Sequence, residues 1–257
     1  MCLIVFSISK KTDSIDTNSE FSITLMANRD EYYKRPTISI DWWNDKPILA
    51  GKDLLAGGTW LGVNKNGRFA ALTNYKEDSE QKTYDLSRGK LITDYLESDS
   101  FTGPDYLSSL EGESFAGFNL LVSDGEGVHS YSNRKEGITT ITEGVHALGN
   151  RFLNSDTKKV NKIKEDFKEY QKSFYNLDSA FNMMSKDSRN LESETKEDLI
   201  KRDYEEIPYR FIKSKLYGTR CTTILTIDSS KKISVSEQNY LEGGMLGERK
   251  GFQFSAT

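Results

Sequence analysis

Residues 1–8 read MCLIVFSI, an apolar run with no alternation between polar and apolar positions. A strand covered on both faces has this pattern, so the run predicts a central β-strand with structure packed on each side. Its second residue, Cys2, follows the initiator methionine. Free cysteine is among the most buried residue types, and the run taken alone therefore predicts a packed core cysteine.

Cys2 also has a chemical interpretation. Removal of Met1, which a residue as small as cysteine usually permits, would leave an α-amine and a thiol on one residue. The thiol titrates near ~8.5 and the amine near ~8, so part of the amine is neutral and is placed to accept the thiol proton. Retained Met1 would block this base. We therefore predict that Met1 is removed and that Cys2 is a reactive nucleophile.

Composition limits the other possibilities. The chain has 257 residues and a net charge of −4 with interspersed signs, which gives no basis for a nucleic-acid surface. No stretch approaches the length of a membrane span. Two cysteines make no disulfide framework, and two histidines, His129 and His146, make no zinc or haem motif. We expect a single soluble cytoplasmic domain over residues 1–257, with no metal and no cofactor.

Short strands are predicted over most of residues 1–150. Residues 21–28 alternate as a strand with two distinct faces, and Asn66-Gly67 and Asp124-Gly125 each predict a hairpin turn. Residues 138–142 and 145–148 are predicted to continue the second meander. Late strands are expected at 219–227, 232–237 and 251–254.

Helices are predicted between the blocks of strands. Residues 87–96 have one apolar face, and apolar residues from Val160 to Phe174 recur at helical spacing after a cap at Ser155 or Asp156. A second helix includes residues 177–184, and the charged tract 186–206 is expected to be exposed. Helices interposed between antiparallel strands favour a layered α+β domain.

Polar residues cluster at four predicted strand ends or adjoining loops. They are Asn28-Arg29-Asp30-Glu31, Asn74, Asn150-Arg151 and Arg220-Cys221. Strand ends present polar groups to a cleft on a rigid support, although asparagine is equally common in ordinary turns.

The segments MCLIVF, ANRDEYYKRP (27–36), GGTWLGVNKNGRFAALTNY (57–75), GFNLLVSD (117–124), HALGN (146–150) and YGTRCTTILTID (217–228) resemble the NRDE family, also called the transport and Golgi organization 2 family. That family is similar to N-terminal nucleophile hydrolases of the choloylglycine and penicillin acylase type. The resemblance implies a four-layer αββα sandwich of antiparallel sheets and cleavage of non-peptide amide bonds.

The resemblance also implies roles for single residues. Cys2 takes the nucleophile position, with Arg29 and Asp30 where an arginine and an aspartate flank it. The two are adjacent here, so which one faces Cys2 is left open. Asn74 and Asn150 resemble the two asparagines of an oxyanion hole, and Arg220 resembles a late arginine near the thiol.

Two functions follow from the resemblance. The first is a hydrolase or acyltransferase that acts through Cys2 on an amide or thioester of a small hydrophobic acyl compound. The second is a non-enzymatic protein that binds or traffics lipid, acyl-CoA or haem-like ligands. In both, we expect the polar residues to meet Cys2 at the mouth of a mainly apolar pocket, with Trp60 as a candidate wall.

Overall fold

The computed structural model describes residues 2–10, 21–77, 84–172, 176–186, 189–190 and 210–257. Phe174 and nearly all of the charged tract 186–206 lie outside the described residues. No helix in the described part of the chain is long and apolar enough to cross a membrane.

The first antiparallel sheet has six strands and contains the N-terminal segment near its centre. The strand order is β10-β1-β2-β13-β14-β15. Its strands are β1 (Cys2–Lys10), β2 (Phe21–Tyr32), β10 (Gly144–Leu148), β13 (Tyr217–Ile227), β14 (Lys232–Tyr240) and β15 (Leu246–Ser255). The apolar run therefore forms an interior strand, as its pattern predicted.

The second antiparallel sheet has seven strands in sequence order. They are β3 (Thr37–Trp42), β4 (Ile48–Asp53), β5 (Leu61–Asn64), β6 (Phe69–Asn74), β7 (Phe118–Ser123), β8 (Val128–Ser132) and β9 (Ile138–Thr140). Both predicted hairpin turns are present, with Gly67 and Gly125 at positive φ. A short parallel pair, β11 (Arg189–Asn190) and β12 (Ile212–Lys213), is separate from both sheets.

Helices cover the outer face of each sheet. The helices α1 (Gly89–Glu97) and α2 (Gly103–Ser108) pack on the second sheet, and α3 (Lys158–Lys172) and α4 (Leu177–Ser185) pack on the first. A third apolar cluster, which includes Phe6, Leu25, Val63 and Phe69, fills the space between the sheets. The predicted αββα order of an α+β sandwich is thereby confirmed.

Three details differ from the sequence predictions. Gly144–Leu148 does not continue the meander: it pairs with β1 in the other sheet, after a chain reversal at Gly144 (φ +121°). β2 runs to Tyr32, because β13 pairs with its polar residues. The long helix begins at Lys158, and its first turn is capped by Thr157 instead of the predicted Ser155 or Asp156, since the Thr157 hydroxyl accepts the Val160 N–H at 3.3 Å.

Candidate active site

A cleft of about 240 Å³ opens where the ends of β1, β2, β4 and β6 meet the start of α1. Cys2 lines it. Its walls are mainly polar and charged, in contrast to the mainly apolar pocket expected from the sequence. The residues that line it are Cys2, Arg29, Asp30, Glu31, Tyr32, Arg35, Asp53, Ala56, Gly58, Thr59, Trp60, Leu72, Asn74, Ser87, Arg88 and Gly89.

Strand register decides which member of the Arg29-Asp30 pair faces Cys2. Cys2 is directly opposite Arg29 in the antiparallel pairing of β1 and β2. Directly opposed residues project to the same face of a sheet, which here is the face toward the second sheet. Arg29 is therefore the side chain beside the thiol, whereas the backbone N–H of Asp30 hydrogen-bonds the Cys2 sulfur.

Arg29 is fixed by three neighbours from the second sheet. One guanidinium nitrogen donates to Asp53 Oδ2 at 3.0 Å, another donates to Thr37 Oγ1 at 3.4 Å, and the plane lies 4.2 Å from the Trp60 ring centre. Arginine suits this position because it forms ion pairs and stacks on an aromatic ring at once. Trp60 thus serves as a wall of the cleft and as part of the core between the sheets.

Asp53 organises the opposite side of the cleft. Its Oδ2 accepts from Arg29 and, at 2.6 Å, from Arg35 Nε, while its Oδ1 accepts the backbone N–H groups of Leu55 and Ala56. Partial burial alone would raise the pKa of Asp53, but the Arg35 hydrogen bond, the backbone donors and both arginine charges outweigh it and lower the pKa. Asp53 is therefore an anion that joins two cationic side chains.

Asp30 points to the opposite face of the first sheet from Arg29 and is 2% exposed. Its Oδ1 accepts from Thr219 Oγ1 at 2.7 Å. Burial raises the pKa of Asp30, against the charge of Lys159 and the Thr219 hydrogen bond, which lower it. Lys159, in the first turn of α3, is itself 2% exposed. A buried ammonium beneath the site thus favours an ionised Asp30.

Asn28 completes the motif but faces the helices. Its Nδ2 donates to the carbonyls of Met184 and Arg210 at 3.0 and 2.7 Å, and its Oδ1 accepts from Thr222 Oγ1. These bonds hold the polar end of β2 in the sheet, which explains why the strand does not end at residue 28.

The two predicted oxyanion-hole asparagines meet, in different roles. Asn74 ends β6 and lines the cleft. Asn150 is buried, is not among the lining residues, and donates through Nδ2 to the Asn74 carbonyl at 2.8 Å. Its own carbonyl accepts the Lys76 N–H at 2.8 Å. Asn150 therefore holds in place the end of β6, where Asn74 lies.

Arg220 is also outside the set of lining residues. It occupies an irregularity in the β2–β13 register, between Thr219 and Cys221. Its guanidinium donates to the carbonyls of Tyr32 at 2.7 Å and Arg35 at 3.1 Å. Arg220 thus supports the loop that carries Arg35, and the cationic groups that line the cleft are Arg29, Arg35 and Arg88.

Arg88 reaches the cleft because two glycines let two loops approach closely. A Cβ on Gly58 would lie 2.5 Å from the backbone of Gly89, so this contact requires glycine. The contact places Ser87, Arg88 and the start of α1 along one rim. Arg88 donates to the Gly117 carbonyl at 2.9 Å and interacts electrostatically with Cys2.

The thiols differ in environment. Cys2 is partly exposed, but the protein around its sulfur removes water and raises its pKa; Asp30 adds to this rise, and Arg29 and the Asp30 N–H oppose it. Burial and the neighbouring Glu237 raise the pKa of Cys221 much further. The charge of Arg29 alone would lower the pKa of Cys2, but desolvation is the larger effect.

Among the site residues that sequence reasoning missed are Asp53, Arg88, Lys159 and Thr219. Asp53 had a local signal, since an aspartate before Leu-Leu-Ala-Gly-Gly is typical of a side-chain-capped turn. The other three are identified only by strand register and helix packing. The two histidines lie in β8 and β10. Within the described ranges, no group of three or more His, Cys, Asp or Glu side chains could hold a metal ion.

This cleft lies in a four-layer αββα sandwich of antiparallel sheets, and Cys2 at the start of its first strand is one of the residues that line it. Residues 1–242 match the family described as Transport and Golgi organisation 2, and the chain belongs to this family. The resemblance seen in the sequence is thereby confirmed.

Curated relatives and a solved structure are similar to this chain. Transport and Golgi organization 2 homologs of Mus musculus and Homo sapiens are 30% and 29% identical, each over 94% of both chains. The Drosophila melanogaster protein is 31% identical over 37% of this chain and 35% of its own. The structure of a Caenorhabditis elegans N-acylethanolamine-hydrolyzing acid amidase ortholog aligns with a TM-score of 0.46 and 10% identity, over 87% and 92% of the two chains.

Proposed function

We propose that the chain is a hydrolase or acyltransferase in which Cys2 attacks the carbonyl carbon of an amide or thioester of a small acyl compound. The observation that carries this proposal is the position of Cys2, which lines the cleft directly opposite Arg29 in the neighbouring strand, with Asn74 among the other lining residues. A packed core cysteine would have no such access to a substrate.

The raised pKa of Cys2 bears on the mechanism. A thiol that is mostly protonated at neutral pH needs a base at the moment of attack. Once Met1 is removed, the α-amine of Cys2 is that base. As the sulfur–carbon bond forms, the thiol proton passes to the amine and the carbonyl electrons move to the oxygen.

The intermediate then collapses toward an acyl-enzyme. The carbon–nitrogen or carbon–sulfur bond of the substrate breaks, and the ammonium returns its proton to the leaving group. Water, or an acceptor in a transferase, attacks the resulting thioester; the amine takes its proton, and the Cys2 thiol is restored. Each proton that leaves the thiol or water is thus returned to a leaving group.

The surrounding residues support these steps. An Asn74 amide donor stabilises the oxyanion. The charge of Arg29 lowers the pKa of Cys2 and so offsets part of the rise that desolvation causes. Asp30, whose ionised form the Lys159 charge favours against the effect of burial, attracts the ammonium that forms on Cys2. Asn150 positions Asn74 through the strand-end carbonyl.

The alternative is a binding protein without turnover, for a lipid, acyl-CoA or haem-like ligand. It is favoured by one observation: the walls of the cleft are mainly polar and charged, and three arginines, Arg29, Arg35 and Arg88, line it. In this case the arginines of the cleft bind a ligand, and Cys2 is a contact residue.

Substitution at Cys2 separates the two functions. Wild type, Cys2→Ala and Cys221→Ala are incubated with decanoyl amides and a decanoyl thioester, and acid release is followed by mass spectrometry. We expect turnover in wild type and Cys221→Ala and none in Cys2→Ala, with the three melting temperatures nearly equal. Equal turnover in Cys2→Ala would refute the nucleophile, and absence of turnover with retained ligand binding would favour the binding protein.

A further inference from the structure

The three arginines of the cleft differ in how their charges are balanced. Arg29 and Arg35 both bind Oδ2 of Asp53, at 3.0 and 2.6 Å. Arg29 is further engaged by Thr37 and Trp60. These two guanidinium groups are therefore held by the protein itself.

Arg88 is balanced differently. Its hydrogen-bond acceptor is the neutral carbonyl of Gly117, and no carboxylate of the described residues lies within ion-pair distance. The acids that it interacts with at longer range are engaged elsewhere, since Glu77 is paired with Arg134 at 2.6 Å and Glu31 Oε1 accepts the Tyr32 N–H. A guanidinium has five N–H donors, so Arg88 retains donors for a ligand.

The surroundings of Arg88 increase its attraction for an anion. The side chain is half-buried on the rim formed by the Gly58–Gly89 contact, and it lines the same cleft as Cys2. Arginine stays protonated in such a site, and an ion pair is stronger where water is partly excluded.

We propose that the substrate of Cys2 carries a carboxylate or phosphate near its acyl bond, and that Arg88 binds this anion and so selects the substrate. This inference rests on the proposed function and assigns its substrate class. Trp60 and Leu72 supply the apolar surface of the cleft for the acyl part, and Arg88 supplies the charge that orients the head group. A bidentate guanidinium contact suits both anions.

Three probes with one acyl chain separate the possible anions. N-decanoylglycine carries a carboxylate, N-decanoyl-O-phosphoethanolamine carries a phosphate, and N-decanoylethanolamine is neutral. Their dissociation constants are measured by calorimetry on full-length Cys2→Ala protein at physiological salt. This background makes the result independent of turnover, so loss of the anion preference and loss of catalysis are separate observations.

The variants are Arg88→Gln, Arg88→Lys and Lys90→Gln, each added to Cys2→Ala. Lys90 is the matched control, because it lies two residues after Arg88 in the first turn of α1, pairs with Asp94 at 2.7 Å and does not line the cleft. A charge-assisted hydrogen bond corresponds to a change of about tenfold or more in affinity. We expect Arg88→Gln to reduce the ratio of anionic to neutral affinity by about tenfold, Lys90→Gln to keep it, and Arg88→Lys to keep part of it, because lysine retains the charge without the bidentate contact.

The comparison of the two anions identifies the head group. A stronger Arg88 dependence for the carboxylate probe assigns a carboxylate substrate, and a stronger one for the phosphate probe assigns a phosphate. The inference is overturned if Cys2→Ala binds the neutral probe as well as both anionic ones, or if Arg88→Gln weakens all three equally with unchanged melting temperature. In that case Arg88 serves to hold the Gly117 carbonyl.

Discussion

Cys2 and Arg29 are direct partners across the first two strands, and this pairing links the start of the chain to the NRDE motif. The same arginine stacks on Trp60 and binds Asp53, so the nucleophile position is connected through one side chain to the second sheet. Displacement of either sheet would therefore disturb the surroundings of the thiol.

The first prediction concerns thiol reactivity. We expect iodoacetamide to label Cys2 faster than Cys221, because Cys2 lines the cleft whereas Cys221 is buried beside Glu237. Since the pKa of Cys2 is raised, its labelling rate should still be rising above pH 9. Peptide mass spectrometry across a pH series measures both rates.

Intact mass completes that experiment by showing whether Met1 is removed. Cys221→Ala is the control, and its labelling profile should match wild type. A Cys2 that reacts no faster than Cys221, or a chain that retains Met1, would contradict the nucleophile proposal.

The second prediction separates Asn74 from Asn150. We expect Asn74→Ala to lower kcat by about 10²–10³-fold, since it removes a donor to the oxyanion. Asn150→Ala should lower kcat less but also lower the melting temperature, because it removes the 2.8 Å bond to the Asn74 carbonyl. Steady-state kinetics and thermal unfolding measure the two effects, with Asn161→Ala on the exposed face of α3 as control. Equal kinetic losses without loss of stability would instead assign both asparagines to the oxyanion.

Much of the fold was predictable because apolar periodicity and turn chemistry are local. The unbroken apolar run of β1, the Asn66-Gly67 turn and the spacing from Val160 to Tyr170 each predicted the observed element. The placement of Gly144–Leu148 was not predictable in this way, because a short strand pairs with either sheet until the tertiary structure selects its neighbour. Its partner, β1, lies more than 130 residues away in the sequence.

Only the site residues that lie in the recognised sequence motifs were predictable. Cys2, Arg29, Asp30 and Asn74 were selected from the sequence and line one cleft. Lys159 was hidden because a lysine in a charged helix is typical of a solvated face, and only the packing of α3 on the sheet buries it. Arg220 lies away from the lining because of the register irregularity at that position, which residue spacing does not reveal.

The third prediction tests Asp53 as the anion that joins Arg29 and Arg35. Asp53→Asn should lower the free energy of unfolding at neutral pH by about 1–3 kcal/mol, because two guanidinium groups lose a charged acceptor. The pKa of Asp53 is lower in the folded state than its unfolded value of 3.8. The ionised carboxylate therefore stabilises the wild-type fold above pH 3.8, and this stabilisation is lost as the pH falls through the folded-state pKa. Urea unfolding between about pH 2 and 7 should show that the free energy of unfolding decreases less at low pH in the variant than in wild type.

Asp41→Asn is the control for that experiment, since Asp41 pairs with Lys250 in an exposed ion pair. Such pairs contribute below about 1 kcal/mol. Equal acid dependence in wild type and Asp53→Asn would contradict the role assigned to Asp53.

The fourth prediction concerns the buried pair of charges beneath the site. Lys159→Met removes the ammonium that lowers the pKa of Asp30, so the folded-state pKa of Asp30 rises further above its unfolded value. A raised folded pKa means that the folded state holds a proton which the unfolded state releases. Stability should therefore fall more steeply in the variant than in wild type as pH rises from about 4 toward 7, by on the order of 1 kcal/mol for each unit of added shift.

Lys158→Met is the matched control, because Lys158 is the exposed neighbour in the same turn of α3. Addition of Asp30→Asn to Lys159→Met removes the titrating group, so the double variant should lose the added pH dependence. Turnover reports on the site independently: Lys159→Met should shift the acid limb of kcat/KM to higher pH if an ionised Asp30 holds the Cys2 ammonium. If the acid limb of kcat/KM is unchanged while the pH dependence of stability changes, Lys159 and Asp30 contribute to folding only. Asp30 would then not be the partner of the Cys2 ammonium.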